Sequence, residues 1–291
     1  MNTTRKSELM VILAGICWGI ISIFILPLAA AGLSSMQITA VRLTTAALIM
    51  TPLMLWKAPD KMRIRVRDLW MFVLTGTVFT VGYAALYIYA NVHGETSVAI
   101  VLLYTSPVWV VLLSVPMFGE RITTVKMISI ILTVAGCVLV SGILQGISAI
   151  SPVVVLAGLA SGMSYGLYTV FARIAMRHYD SLTVTVYTLL FAMIGILPLG
   201  DLRGVLSLIP AHPEIIFWGL GIGIVCMIAP VFLFNAGLAH IETGKAAILV
   251  ALEPVVGVII GMLLWHESHS AMKMAGIVLV ILAIILINRD S

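Results

Sequence analysis

Long, uninterrupted apolar segments recur along this chain and leave few choices for its fold. Each runs for about twenty residues with almost no charge, which matches the thickness of a bilayer core. The composition agrees, since 62% of the 291 residues are hydrophobic and only 10% are charged. A soluble protein could not hide so much apolar surface. A β-barrel would alternate apolar and polar residues, so we predict an all-α integral membrane protein.

Ten such segments account for the chain and leave only short loops, so no soluble domain is expected. The predicted spans are 9–30, 36–56, 68–89, 96–117, 124–143, 152–174, 181–200, 214–236, 243–265 and 271–288. The apolar run of the first span is too long for a signal peptide. We therefore interpret it as a retained transmembrane helix.

The distribution of Lys and Arg predicts the orientation of the ten helices. With the N-terminus in the cytoplasm, thirteen of the sixteen basic residues lie in cytoplasmic segments. Only Arg203 and Lys273 lie on the other side, and Arg42 falls within a span. This bias predicts an N-in, C-in topology and explains the net charge of +4. Because no basic face with interleaved aromatic residues is present, we expect no nucleic-acid partner.

An internal repeat relates the two halves of the sequence at a constant offset of 147 residues. Aligned pairs include Gly15 with Gly162, Gly19 with Gly166, Glu95 with Glu242, Pro107 with Pro254, Glu120 with Glu267 and Lys126 with Lys273. Each half, 1–147 and 148–291, holds five predicted spans, and an odd number inverts the second half relative to the first. Inverted repeats are typical of secondary transporters, with the substrate site between the halves near the midplane.

Several of these segments resemble one transporter family. They are Cys17-Trp18-Gly19, Arg42, Tyr104-Thr-Ser-Pro107 with the following Gly119-Glu120, and Leu252-Glu253-Pro254 with the following His266-Glu267. Together they resemble the EamA-like branch of the drug/metabolite transporter (DMT) superfamily, although His266 stands where the family often has Gly. The resemblance implies two five-helix halves and a cavity lined mainly by the first, third, fourth, sixth, eighth and ninth helices. It also implies export of amino acids and other small metabolites.

Two charged residues fall inside predicted spans. Glu253 lies near the middle of the ninth span, where a carboxylate is costly and normally faces a cavity or a partner. It is the candidate to bind a substrate amine, to carry a proton for coupling, or both; a structural carboxyl group is the alternative. Arg42 lies about 9 Å inside the second span, given 1.5 Å per residue. It is a possible contact for an anionic group, or a structural residue that snorkels or binds carbonyls.

Aromatic and proline residues cluster at similar depths. The aromatic candidates for substrate binding are Trp18, Tyr83, Tyr87, Tyr104, Tyr165 and Tyr168. Tyrosines at the midplane do not fit an interfacial belt and need partners for their hydroxyl groups, so they predict either a binding pocket or internal packing. Pro107 and Pro254 are predicted to kink their helices and to free carbonyl groups.

Motifs for other chemistry are absent from the sequence. There is no Gly-x-x-x-x-Gly-Lys-Ser/Thr phosphate loop. The Gly162-Met-Ser-Tyr-Gly166 match to Gly-x-Ser-x-Gly lies inside a predicted transmembrane span rather than at a strand-to-helix turn, so it is not a nucleophile elbow. The three cysteines, Cys17, Cys137 and Cys226, form no metal-binding pair and are expected to be packing residues. We therefore expect no catalytic residues, no metal, no cofactor and no direct use of ATP.

The sequence as a whole predicts a secondary transporter, a monomer or homodimer in the bacterial inner membrane. It would export small metabolites by alternating access, with amino acids, including bulky or aromatic ones, as the leading substrates. One alternative is a nucleotide-sugar or sugar-phosphate carrier, which would need several basic cavity residues, and only Arg42 and Lys245 are candidates. An alternative of another class is an intramembrane lipid-modifying enzyme.

Overall fold

The computed structural model describes residues 3–93, 96–141, 143–145, 151–264 and 270–289, and all regular structure in these ranges is helical. Its long helices are α1 (Thr3–Ala30), α2 (Ser35–Lys57), α3 (Val66–His93), α4 (Val98–Phe118), α5 (Thr124–Ser141), α6 (Pro152–Ala175), α7 (Ser181–Ile196), α8 (Glu214–Leu238), α9 (Thr243–Leu264) and α10 (Ala271–Arg289). Each predicted span falls on one of them. Glu95, His266 and Glu267, which entered the sequence comparison, lie outside the described residues.

Nine of the helices within the described ranges are long and apolar enough to cross a membrane, and α7 is shorter. The sequence predicts a span over 181–200, but α7 has 16 residues and ends at Ile196. The Ile196 carbonyl accepts hydrogen bonds from the Leu199 and Gly200 amides, which close a turn around Pro198. Proline cannot donate to a continuing helix, so the apolar segment leaves the helix here. A short helix, Leu202–Leu208, then leads to α8.

Local side-chain caps define several helix starts. Ser34 and Gln37 form a reciprocal capping box at the start of α2. The Ser151 hydroxyl accepts the Val153 amide at the start of α6, and the Asp180 carboxylate accepts the Thr183 amide at the start of α7. These caps satisfy amides that have no partner within their own helix. The three helices begin within one residue of the predicted spans.

The ten helices pack with an approximate twofold relation between the halves. Helix α5 packs against its repeat counterpart α10, and α2 packs against its counterpart α7. Helix α1 packs on α8 and α9 of the second half, while α6 packs on α3 and α4 of the first. These contacts between the halves therefore occur in pairs related by the repeat.

Repeat-related glycines allow these close contacts. A methyl group at Gly15 of α1 would lie 3.1 Å from the Val250 carbonyl oxygen of α9. At the matching position, a methyl group on Gly162 of α6 would lie 2.5 Å from the Leu102 carbonyl oxygen of α4. Gly15 and Gly19, like Gly162 and Gly166, form a Gly-x-x-x-Gly pair, and such pairs bring backbones together in membrane helices.

Helices α4 and α9 are interrupted at matching places. Helix α4 breaks between Leu103 and Ser106, and α9 breaks between Val250 and Glu253. At each break an amide donates to the carbonyl three residues earlier rather than four. The donor is the Thr105 amide in α4 and the amide of its repeat counterpart, Leu252, in α9. Pro107 and Pro254 are the second residues of the segments that follow. Helices α3 and α8 contain matching π-helical turns at Val73–Val81 and Ile224–Ile228.

Candidate functional site

A cavity of about 570 Å³ lies between the two halves, with α1 to α4 on one side and α9 on the other. Its volume lies within the range of small-molecule sites. Polar and charged residues of its lining are Ser22, Ser35, Thr39, Arg42, Asn91, Ser141, Glu253 and Lys273. Aromatic and glycine residues of the lining are Trp18, Gly19, Tyr83, Tyr87, Tyr104 and Gly257, and the remainder is mostly aliphatic.

The cavity reaches one end of the helix bundle. Its lining includes the first residue of α2, Ser35, the last of α5, Ser141, and Lys273 near the start of α10. These helix ends lie opposite the end where α1 begins. We call the end with Ser35, Ser141 and Lys273 the open end, and the end where α1 begins the closed end.

Arg42 and Glu253 bring opposite charges to the same cavity. Helix α2 places Arg42 half-buried in the wall, where a guanidinium N–H donates to the Tyr83 hydroxyl at 3.5 Å. The Arg42 Nε is buried and has no hydrogen-bond partner among the described residues. Glu253 interacts electrostatically with Arg42, and the Tyr104 hydroxyl lies within hydrogen-bonding reach of its carboxylate. The described lining therefore places the acidic group of Glu253 near the guanidinium of Arg42, whose Nε has no hydrogen-bond partner there.

The break in α9 determines where Glu253 lies. Glu253 is the first residue of the segment Glu253–Leu264, so its carboxylate lies at the positive end of that segment's dipole. The break in α4 similarly places Tyr104 just before Ser106, and Ser106 is the repeat counterpart of Glu253. In the described lining the carboxylate comes from the second half, which makes the pseudo-symmetric site chemically asymmetric.

Three of the predicted site residues lie outside the cavity lining. Tyr165 packs behind it, with its ring 6.4 Å from Trp18 and 5.2 Å from Tyr83 between centroids. Tyr168 is buried and its hydroxyl donates to the Asn235 side-chain oxygen at 3.2 Å, so it satisfies its own hydrogen bond inside the bundle. Pro107 is buried beside the α4 break.

The lining also differs from what the family resemblance implies. Helix α6 contributes no residue to it, because its glycine face packs on α4. Helix α2 contributes Arg42, and α10 contributes Lys273 at the open end. Lys245, considered as a cavity cation from the sequence, instead pairs with Glu8 at 2.6 Å at the closed end.

Five charged residues connect the halves at the closed end: Glu8, Glu120, Lys126, Glu242 and Lys245 (the closed-end cluster). The Lys126 ammonium, with a side chain 2% exposed, lies 2.8 Å from Glu242 and 3.4 Å from Glu120. Since Lys126 belongs to the first half and Glu242 to the second, this pair holds the two halves together. The repeat aligned Lys126 and Glu120 with second-half residues, but it did not show that Lys126 pairs with Glu242.

Glu120 adds a second connection between the halves. Its carboxylate accepts the backbone amides of Thr243 at 2.6 Å and Gly244 at 3.1 Å, at the start of α9. Burial of this loop residue favours the neutral form, but those two amides and Lys126 outweigh it and hold the pKa of the Glu120 carboxyl below its usual value. Glu120 therefore stays ionised and caps α9 at neutral pH.

Two arginines of α6 and its following turn extend the closure. An Arg173 guanidinium N–H donates to the Leu238 carbonyl oxygen at the end of α8. An Arg177 guanidinium N–H donates to the Met117 carbonyl oxygen at 3.0 Å and lies over the Phe118 ring. Both carbonyls belong to the last turn of a helix, where carbonyl groups lack partners within the helix. The closed end is thus held by charge on both halves.

No group of three or more His, Cys, Asp or Glu side chains suited to a metal occurs in the described ranges. Cys17, Cys137 and Cys226 are free thiols. The described lining of the cavity combines one acidic residue, two basic residues and several aromatic residues.

Comparisons with known proteins agree with this architecture. A solved crystal structure superposes with a TM-score of 0.79 over 97% of this chain and 96% of that chain, at 18% sequence identity, which shows a shared fold. An uncharacterized transporter of Archaeoglobus fulgidus is 24% identical over 98% of this chain and 97% of its own length. A pseudopaline exporter of Pseudomonas aeruginosa is 28% identical over 72% of each chain.

A family model matches the chain twice, once in each half. It is that of the EamA-like transporter family, and it covers residues 5–142 and 152–289. The two matches correspond to the repeat found at the offset of 147 residues, and they span nearly all of both halves. The chain therefore belongs to the EamA-like transporter family.

Proposed function

We propose that this protein is a ten-helix secondary transporter that exports amino acids, including bulky apolar ones, across the bacterial inner membrane. The observation that carries the proposal is the pairing of Arg42 and Glu253 in one cavity between the two halves. An α-amino acid carries a carboxylate and an ammonium group, and these match a guanidinium and a carboxylate respectively. The relative described as a pseudopaline exporter supports export as the direction.

The rest of the lining supports this substrate class. Tyr83 and Tyr104 contact the two charged groups and can also donate to a bound ligand. Much of the remaining wall is apolar, with Ile25, Ile222 and Val258 among its residues. A cavity with a few convergent polar groups and an apolar remainder is typical of small-molecule sites, and it suits a zwitterion that carries an apolar side chain.

A sugar-phosphate or nucleotide-sugar carrier fits the lining less well. Phosphate recognition normally uses several cationic groups. Arg42 and Lys273 are the basic residues of the described lining, and Glu253 offsets the charge of Arg42. The lining therefore favours a zwitterion over a phosphorylated substrate.

Alternating access gives the two ends of the bundle their roles. The lining reaches the open end, whereas the closed-end cluster holds the halves together at the other. In the N-in orientation that Lys and Arg favour, with five spans in each inverted half, the closed end is cytoplasmic. This conformation would then release an exported substrate, and separation of the closed-end cluster would open the cavity to the cytoplasm.

Glu253 is the candidate for coupling this movement to protons. It is the acidic residue of the described cavity lining, and its repeat counterpart Ser106 does not titrate. A carboxylate that binds either a proton or a substrate ammonium group, but not both at once, would link export of the substrate to import of the proton.

Reconstitution into proteoliposomes tests the proposed function. Uptake and counterflow of radiolabelled glycine, alanine, leucine and tryptophan would be compared with uptake of glucose 6-phosphate, with and without a pH gradient. We expect transport of amino acids that a pH gradient accelerates. Transport of glucose 6-phosphate without any amino acid would contradict the assignment, and so would the appearance of chemically altered lipid as the sole activity.

A further inference from the structure

Gly257 occupies a distinctive place in the cavity wall. It lies one helical turn beyond Glu253 in α9, on the same face, and both residues line the cavity. Four residues correspond to about 6 Å along a helix axis. This is comparable to the reach from the ammonium group of an α-amino acid to the outer part of its side chain, so a ligand held at Glu253 extends toward Gly257.

Helix packing does not account for the glycine at position 257. Among the described residues, a methyl group there would meet only the Gly19 carbonyl oxygen, at 3.6 Å, which is an ordinary contact. By contrast, a methyl group at Gly19 would lie 2.5 Å from Val256 Cβ and 2.7 Å from the Glu253 carbonyl oxygen. Gly19 is therefore required where α1 crosses α9, whereas Gly257 has room for a side chain.

Backbone conformation does not require this glycine either. Among the described glycines, those with positive φ are Gly32 and Gly119, and Gly257 lies within a regular helical segment. Glycine in a helix interior is less favourable than alanine. The consequence of glycine at this position is a recess in the wall, one helical turn from Glu253.

We propose that Gly257 is a specificity-determining residue that sets the largest side chain the cavity accepts. The inference rests on the proposed function, because it takes Glu253 as the site of the substrate ammonium group. Ile222 and Val258 also line this cavity and provide apolar surface for the substrate side chain. A side chain at position 257 would project into the recess and displace a leucine or tryptophan side chain, while glycine and alanine would still fit.

Graded substitution tests this proposal. Gly257→Ala and Gly257→Val would be compared with Gly82→Ala and Gly82→Val. Gly82 is a helical glycine of α3 outside the lining, and a methyl group there meets no atom within 4 Å. The four variants therefore share the change in helix propensity and differ in whether they fill the cavity.

We expect Gly257→Val to reduce kcat/KM for leucine and tryptophan by about tenfold or more, with a smaller loss in Gly257→Ala. Transport of glycine and alanine should be nearly unchanged, and both Gly82 variants should keep the wild-type ranking of substrates. Equal loss for all four amino acids, or no loss for tryptophan, would overturn the role of Gly257.

A thiol-labelling measurement separates this inference from the proposed function. In a chain with Cys17, Cys137 and Cys226 replaced by alanine, Gly257→Cys would be treated with 2-aminoethyl methanethiosulfonate. Rapid modification is expected, because the recess is open to the cavity. An unreactive thiol would overturn the recess whatever the substrate. If the wild-type protein transports no amino acid while the thiol reacts, the substrate class is wrong and the recess stands.

Discussion

Arg42 and Glu253 are each held by a tyrosine, and this leaves part of each charged group available to a ligand. Tyr83 contacts one guanidinium N–H, while the Arg42 Nε has no hydrogen-bond partner among the described residues. Tyr104 lies within reach of the Glu253 carboxylate, which can accept further hydrogen bonds. A substrate that supplies both complementary groups would satisfy the two residues together.

Replacement of Arg42 by glutamine should remove recognition of the substrate carboxylate. We expect KM for leucine to rise at least about tenfold, since charged hydrogen bonds contribute about 1.5–3 kcal/mol. Inhibition by leucine methyl ester, which lacks the carboxylate, should change little. The measurement is counterflow of labelled leucine with each compound as competitor. An equal loss of affinity for the acid and its ester would assign Arg42 a structural role.

Replacement of Glu253 by glutamine preserves shape and most hydrogen bonding but removes titration. If Glu253 carries the coupled proton, the variant should still exchange labelled leucine for unlabelled leucine and should lose accumulation driven by a pH gradient. Both quantities can be measured in the same proteoliposomes. Intact pH-driven accumulation in a folded Glu253→Gln protein would show that another group carries the proton.

The sequence could predict some of these residues better than others. Depth within a span identified Glu253, because a carboxylate at the midplane needs a special environment. Depth left the role of Arg42 open, since it does not show which face of α2 meets the cavity. Helical spacing placed Tyr165 and Tyr168 one turn apart, but the bond from Tyr168 to Asn235 depends on how α6 meets α8.

At the scale of helices, the breaks in α4 and α9 are held by helices of the opposite half. Gly15 of α1 faces the Val250 carbonyl just before the α9 break, and Gly162 of α6 faces the Leu102 carbonyl just before the α4 break. The sequence indicated both glycine pairs and both prolines through the repeat. It could not show that each pair packs on a break, because that contact joins residues far apart in the chain.

Gly162→Val should therefore disrupt one break. A methyl group at Gly162 would already come within 2.5 Å of the Leu102 carbonyl and 2.7 Å of the Thr105 hydroxyl oxygen. We expect a loss of about 1–3 kcal/mol in stability from overpacking, seen as a lower midpoint of thermal unfolding in detergent. Gly82→Val provides the control, since that position is open. Equal midpoints for the two variants would mean that α6 does not need to approach α4 so closely.

For the whole molecule, the repeat predicted the matching halves, but not how the two ends differ. Symmetry at the level of sequence relates Lys126 to Lys273, yet the structure places them in unlike surroundings. Lys126 is buried in the closed-end cluster, while Lys273 lines the cavity at the open end. A single sequence describes both conformations of an alternating-access cycle equally, so it could not show which end is closed here.

Lys126 gives the clearest test of how the closed end is held. Lys126→Met removes the ion pairs to Glu120 and Glu242, whereas Lys273→Met makes the same change at the open end. A cysteine at the buried Val111, which contacts Gly244 across the halves, reports access from the closed end. In a background without native cysteines, we expect a membrane-impermeant thiol reagent applied at that end to modify it faster in Lys126→Met only.

Loss of a buried partner such as Lys126 can be strongly destabilising. Glu242→Gln is a milder variant that controls for misfolding, because the Glu242 side chain is 57% exposed. It should also accelerate modification, though less. Relative to the rate at a fully exposed cysteine, which corrects for the loss of thiolate at lower pH, the modification rate should not respond to Glu120 protonation between about pH 7 and pH 5. A carboxyl group whose pKa is lowered in the folded protein keeps its contribution to stability above the ordinary carboxyl range. It loses that contribution only as the pH falls through the lowered value.

If Lys126→Met and Lys273→Met accelerate modification equally, the closed-end cluster does not hold the halves together. If only the first does so, the closed end is held by these charges.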